Sequence, residues 1–111
     1  MPAITLVKKI TADGLPCRKC AEVEARLRER GLWARIDRVV IADERDPDSE
    51  GMRLGAVYGV ERAPFFIVHG DGGQEIVYTM FLKFLKEVLQ ANPSEAEEAK
   101  ALLENNPDLY V

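Results

Sequence analysis

The chain has 111 residues, 47% of them hydrophobic, which is the size and composition of one ordinary globular domain with a real core. A formal charge of −4, with 15 basic residues dispersed among 19 acidic ones, argues against a nucleic-acid partner. No apolar run reaches the length of a membrane span, and residues 1–9 show neither a charged segment ahead of an apolar one nor a cleavage pattern, so a soluble, cytoplasmic protein without a membrane partner is expected.

Residues 4–10 are β-branched and apolar and predict a first strand, closed by the turn formers Thr11, Ala12, Asp13 and Gly14. From Cys17 to Arg30, apolar or small residues at Cys20, Val23 and Leu27 follow helical spacing among charged neighbours, with Gly31 as terminator. Residues 35–42 predict a second strand, residues 43–49 a polar loop containing Pro47, and residues 49–58 a short second helix. Phe65, Phe66, Ile67, Val68 and His69 form a compact apolar strand, and Gly70-Asp71-Gly72-Gly73 turns the chain into residues 74–78, an antiparallel hairpin. Residues 80–90 are amphipathic, with Phe81, Leu82, Leu85, Val88 and Leu89 opposite Lys83, Lys86 and Glu87. Asn92-Pro93 breaks that helix, and Ser94 with Glu97 makes a capping box for another over residues 95–104, stopped by Asn105, Asn106 and Pro107. The organisation expected is a domain over residues 1–91 and a helical extension over residues 92–111, packed on it or trailing from it.

Both cysteines of the chain stand in Cys17-Arg18-Lys19-Cys20, where the first strand gives way to the first helix. Residues three apart on a helix lie on one face, so two such sulfurs can approach bonding distance without rearranging the backbone. A thiol at a helix N-terminus faces the positive end of the backbone dipole, which favours the thiolate, and Arg18 and Lys19 are expected to lower the pKa further. Cys17 is therefore the expected attacking sulfur and Cys20 the resolving one. Other chemistries are poorly served. A closed zinc site needs two more ligands, and the lone histidine, His69, lies some fifty residues on. A structural disulfide over so short a loop would constrain the unfolded chain little. Asp13 could move the proton that Cys20 must lose, but a turn role beside Gly14 is the simpler one. Trp33 reads as a core or rim residue.

The order βαβα followed by ββα, with a CxxC pair at the first helix N-terminus and a proline before the third strand, resembles the thioredoxin/glutaredoxin superfamily. The resemblance covers residues 4–90, and its two anchors, Cys17-Arg18-Lys19-Cys20 and Tyr58-Gly59-Val60-Glu61-Arg62-Ala63-Pro64-Phe65, lie about forty residues apart. It implies an α/β fold of the thioredoxin-like βαβαββα type, a central four-stranded mixed sheet flanked by helices, plus the extra C-terminal helix. It also implies that Pro64 is a cis-proline beside the dithiol, leaving the Ala63 backbone to bind an extended substrate.

This chain departs from both main branches. Leu15-Pro16 precedes the first cysteine, and Arg18-Lys19 stands where thioredoxin has Gly-Pro and glutaredoxin Pro-Tyr. Tyr78-Thr79-Met80-Phe81 stands where glutaredoxins hold the γ-glutamyl group of glutathione, which argues against bound glutathione as a cofactor. Lys8 and Lys9 lie further upstream of the cysteine than the glutaredoxin lysine and are expected to be solvated strand-end charges. The function expected is thiol–disulfide oxidoreduction on a disulfide-containing substrate, with no cofactor beyond the dithiol and electrons from an upstream reductase or glutathione. The alternatives are a redox-sensing or adaptor module that binds a partner without turnover, and a metal or iron–sulfur site shared between two subunits.

Overall fold

The computed structural model describes residues 3–91. β1 (Ala3–Ile10) leads into α1 (Arg18–Glu29), a single 3-10 turn at Trp33–Arg35, β2 (Arg38–Asp43) and α2 (Glu50–Tyr58). β3 (Phe65–His69), β4 (Glu75–Tyr78) and α3 (Phe81–Glu87) follow. The architecture is α/β, with a mixed four-stranded sheet in the order β2-β1-β3-β4. β1 runs parallel to β2, while β1 with β3 and β3 with β4 are antiparallel. The chain divides into two compact units, one ending at Thr79 and holding the whole sheet with α1 and α2, the other starting at Met80 and holding α3. In α3 the residues at Phe84 and Leu85 are buried. The capping box at Ser94 and the helix expected over residues 95–104 lie outside the described residues.

The sheet has two working faces because side chains alternate along a strand. On one face Val7, Val40, Ala42, Phe65 and Ile67 form a buried cluster against which Met52, Leu54 and Tyr58 of α2 pack. Burying the four larger side chains, Val7, Val40, Phe65 and Ile67, stabilises the fold by about 1.5–3 kcal/mol each. Ile4, Leu6 and Lys8 point the other way, and Lys8 Nζ pairs with Glu24 of α1 at 2.6 Å. α1 turns Cys20, Val23 and Leu27 inward, the helical spacing that the sequence carries.

Both main helices end as their glycines require. Gly31 has φ +69, its N–H donates to Arg28 O at 3.1 Å, and Leu32 N–H donates to Leu27 O at 2.8 Å. Gly59 with φ +68 repeats the pattern after α2. The 3-10 turn after α1 delays the second strand, so β2 starts at Arg38 and not at residue 35. Trp33 is half-buried in that turn, with the Arg28 guanidinium 4.5 Å above its ring, so it is a rim residue. Among the described residues no helix is long and apolar enough to cross a membrane.

Candidate functional site

The chain leaves β1 at Ile10 and doubles back on itself before α1. Gly14, at φ +83, makes the bend, Thr11 N–H donates to Leu15 O at 2.9 Å, and Pro16 bridges back to Ile10. Cys17 N–H then donates to Lys9 O at 2.9 Å, which fixes the first cysteine at the C-terminal end of β1. Asp13 holds the inside of this bend: its Oδ1 accepts from Thr11 Oγ1 and from Leu15 N–H. Those two bonds, the hydroxyl first, keep its carboxyl below the usual range. Asp13 thus serves the turn, with its Oδ1 shared between two donors of the loop.

Cys17 is the N-cap of α1, with extended backbone angles of φ −59 and ψ 131, and its sulfur is half-buried. Cys20 lies one turn further on and is only 1% exposed. Both thiols are free. The Cys20 sulfur accepts the Lys9 N–H at 3.4 Å. Burial pushes the Cys20 thiol up to about 12, the neighbouring Cys17 adds to the rise, and the Lys9 N–H and the Lys8 cation work against it. Arg18 is exposed and Lys19 half-buried on the outer side of the same turn. The cation that acts on Cys20 is therefore Lys8, reaching it from the strand, a residue that the spacing within CxxC does not point to.

Ala63 and Pro64 come to the dithiol from the middle of the chain. β3 pairs with β1 so that Phe65 opposes Val7, which brings residues 63 and 64 to the C-terminal end of β1. The Ala63–Pro64 bond is cis, and Pro64 is buried. The Cys17 thiol donates to Ala63 O at 3.9 Å across 46 residues of sequence. The four residues Cys17, Cys20, Ala63 and Pro64 thus share one end of the sheet. Leu15, 61% exposed, adds an apolar lip.

Lys8 and Lys9 are the correction that the structure makes. Expected as solvated strand-end charges, both are engaged. Lys8 pairs with Glu24. Lys9 Nζ donates to Glu61 O at 2.9 Å, lies 3.8 Å from Glu44, and the side chain is only 22% exposed. Glu24, held by Lys8 first and then by Arg28, has its carboxyl below the usual range. The reason is topological: β1 is a central strand, so lysines near its end meet elements on both faces before they meet water.

A cavity of about 750 Å³ opens on the α2 side of this end of the sheet, lined by Lys9, Met52, Ala56, Val60, Arg62 and Ala63. Among the described residues no group of three or more His, Cys, Asp or Glu is placed to hold a metal ion.

Two expected outcomes follow from the inequality of the thiols. At pH 8, iodoacetamide alkylates Cys17 of the reduced protein at least about a hundredfold faster than Cys20, since the thiolate is the nucleophile and Cys20 holds its proton. Peptide mapping by mass spectrometry reads the ratio, and equal rates remove the assignment of roles. The second outcome concerns pH. A thiol raised from the ordinary 9.0 to about 12 in the folded state stabilises the reduced protein in full below pH 9. That stability is lost as pH rises from 9 to 12, because the unfolded chain ionises first. Cys20→Ser flattens the urea-denaturation profile over this window; an unchanged slope shows that Cys20 is not its source.

No protein-family model, no curated protein and no solved structure matches this chain.

Proposed function

We propose that this chain is a thiol–disulfide oxidoreductase with a thioredoxin-like fold. The observation that carries the reading is the pair of unequal thiols: one half-exposed at a helix N-terminus, the other buried one turn behind it with its proton held. The strand order β2-β1-β3-β4, with its one parallel pair, and the Ala63 carbonyl against the outer sulfur support it. The Cys17 thiolate attacks one sulfur of a substrate disulfide, forming a mixed disulfide and releasing the other substrate sulfur as a thiolate. Cys20 then gives up its proton, attacks the Cys17 sulfur and releases the second substrate thiol. Two electrons pass to the substrate, and the chain is left with a Cys17–Cys20 disulfide. The released substrate thiolate is one acceptor for the Cys20 proton, which makes a high thiol pKa compatible with turnover.

The test is reduction of a protein disulfide, first with NADPH and thioredoxin reductase as electron source, then with glutathione. Turnover with the first places the chain with thioredoxins, and turnover only with the second places it with glutaredoxins. Turnover with neither overturns the enzymatic reading in favour of a redox-sensing module.

A further inference from the structure

Lys9 touches every part of the site through a different group. Its carbonyl accepts the Cys17 N–H at 2.9 Å, and its N–H donates to the Cys20 sulfur at 3.4 Å. Its ammonium donates to the Glu61 carbonyl at 2.9 Å, two residues before the Ala63 carbonyl that faces the Cys17 sulfur at 3.9 Å. Residues 59–63 line the 750 Å³ cavity together with Lys9. Glu44, 3.8 Å from the ammonium, keeps that charge partnered although the side chain is largely covered.

We infer that Lys9 is a positioning residue, whose ammonium ties residues 61–63 to the end of β1 and so aligns the cavity wall with the Cys17 sulfur. The inference rests on the oxidoreductase reading and names what the cavity takes: an extended peptide segment adjoining the disulfide, paired through backbone groups with residues 61–63. A charged donor on a carbonyl is among the stronger hydrogen bonds, and this one ties the two chains together beyond Val7 and Phe65, the last pair of the β1–β3 ladder. Glu61 precedes β3, so without the tie its carbonyl depends on the loop alone. The contacts of Lys9 with both cysteines are made by its backbone and stay in place whatever its side chain. The sulfurs themselves need nothing from the ammonium.

The experiment compares Lys9→Met, Lys9→Arg and Glu44→Gln on two substrates, a synthetic peptide disulfide and the small aromatic disulfide dithionitrobenzoate. Lys9→Met should raise KM for the peptide about tenfold while changing the rate with the small disulfide less than about twofold. Lys9→Arg should restore most of the loss, and Glu44→Gln, which leaves the bond to Glu61 in place, should change KM little. Equal losses on both substrates, an unchanged peptide KM, or no rescue by arginine overturns the inference.

Hydrogen exchange of the reduced protein gives a readout that needs no activity. In Lys9→Met the amide of Val60, which donates to Gly55 O at 2.8 Å just before the tied segment, exchanges about tenfold faster, with those of β1 and α1 unchanged, if Lys9 acts as stated. If the wild-type chain reduces neither disulfide, the oxidoreductase reading fails while the exchange data still decide the role of Lys9. Uniformly faster exchange across the sheet would make Lys9 a general stabiliser and overturn the positioning role.

Discussion

On the proposed oxidoreductase reading, Cys20→Ser should turn a transient mixed disulfide into one that can be isolated. In the native dithiol the Cys20 sulfur sits one helical turn from Cys17, is 1% exposed and accepts the Lys9 N–H, so in the proposed reaction it would attack as an intramolecular group. Well-oriented intramolecular nucleophiles reach effective concentrations of roughly 10⁵ M and above, against millimolar external thiol, so the Cys20→Ser adduct should persist at least about a thousandfold longer. Non-reducing electrophoresis and intact-mass measurement read it directly. Cys17→Ser should form no adduct, because the remaining thiol is buried and protonated near neutral pH. Adducts of equal yield from the two variants would mean that the structure misassigns attacker and resolver.

Alanine at Gly51 should cost more stability than any surface change in the molecule. A Cβ there would lie 2.4 Å from the Ala42 nitrogen and 2.5 Å from the Ile41 carbonyl carbon, both backbone atoms of β2 that cannot rotate away. α2 must lift from the sheet to make room, opening the cluster that Val40, Ala42 and Met52 share. Overpacking of this kind costs about 1–3 kcal/mol, more than the roughly 1 kcal/mol that alanine returns in helix propensity. Urea denaturation should show a lower midpoint at an unchanged slope. The wall of the cavity beside Ala63 moves with α2, so peptide-disulfide KM should rise as well. A stabilised Gly51→Ala would show that the helix does not lie as close to β2 as described.

The elements that the sequence makes legible are those decided by local chemistry. β3 falls on residues 65–69 as the apolar run predicts, because four consecutive apolar residues and His69 between Pro64 and Gly70 leave little else to form. α1 carries Cys20, Val23 and Leu27 inward as the spacing requires, and Gly31 ends it with a positive φ. The hairpin turn at residues 70–73 follows from its glycines. The boundaries are less legible: β2 begins three residues later than expected because residues 33–35 close a 3-10 turn, which no periodicity announces.

What the amino-acid order alone determined about the site is the pairing of two thiols at the start of a helix, since three-residue spacing on a helix is a purely local relation. That Ala63 arrives at Cys17 from 46 residues away was decided by the register of β3 on β1. The same is true of the lysines. In sequence, Lys8 and Lys9 are two exposed-looking charges at a strand end. In the fold, alternation along β1 sends one toward α1 and Glu24 and the other toward residues 44 and 61. Side-chain alternation can be read from the order of residues, but the neighbour that each face meets depends on strands paired across the whole chain, and only the assembled sheet supplies it.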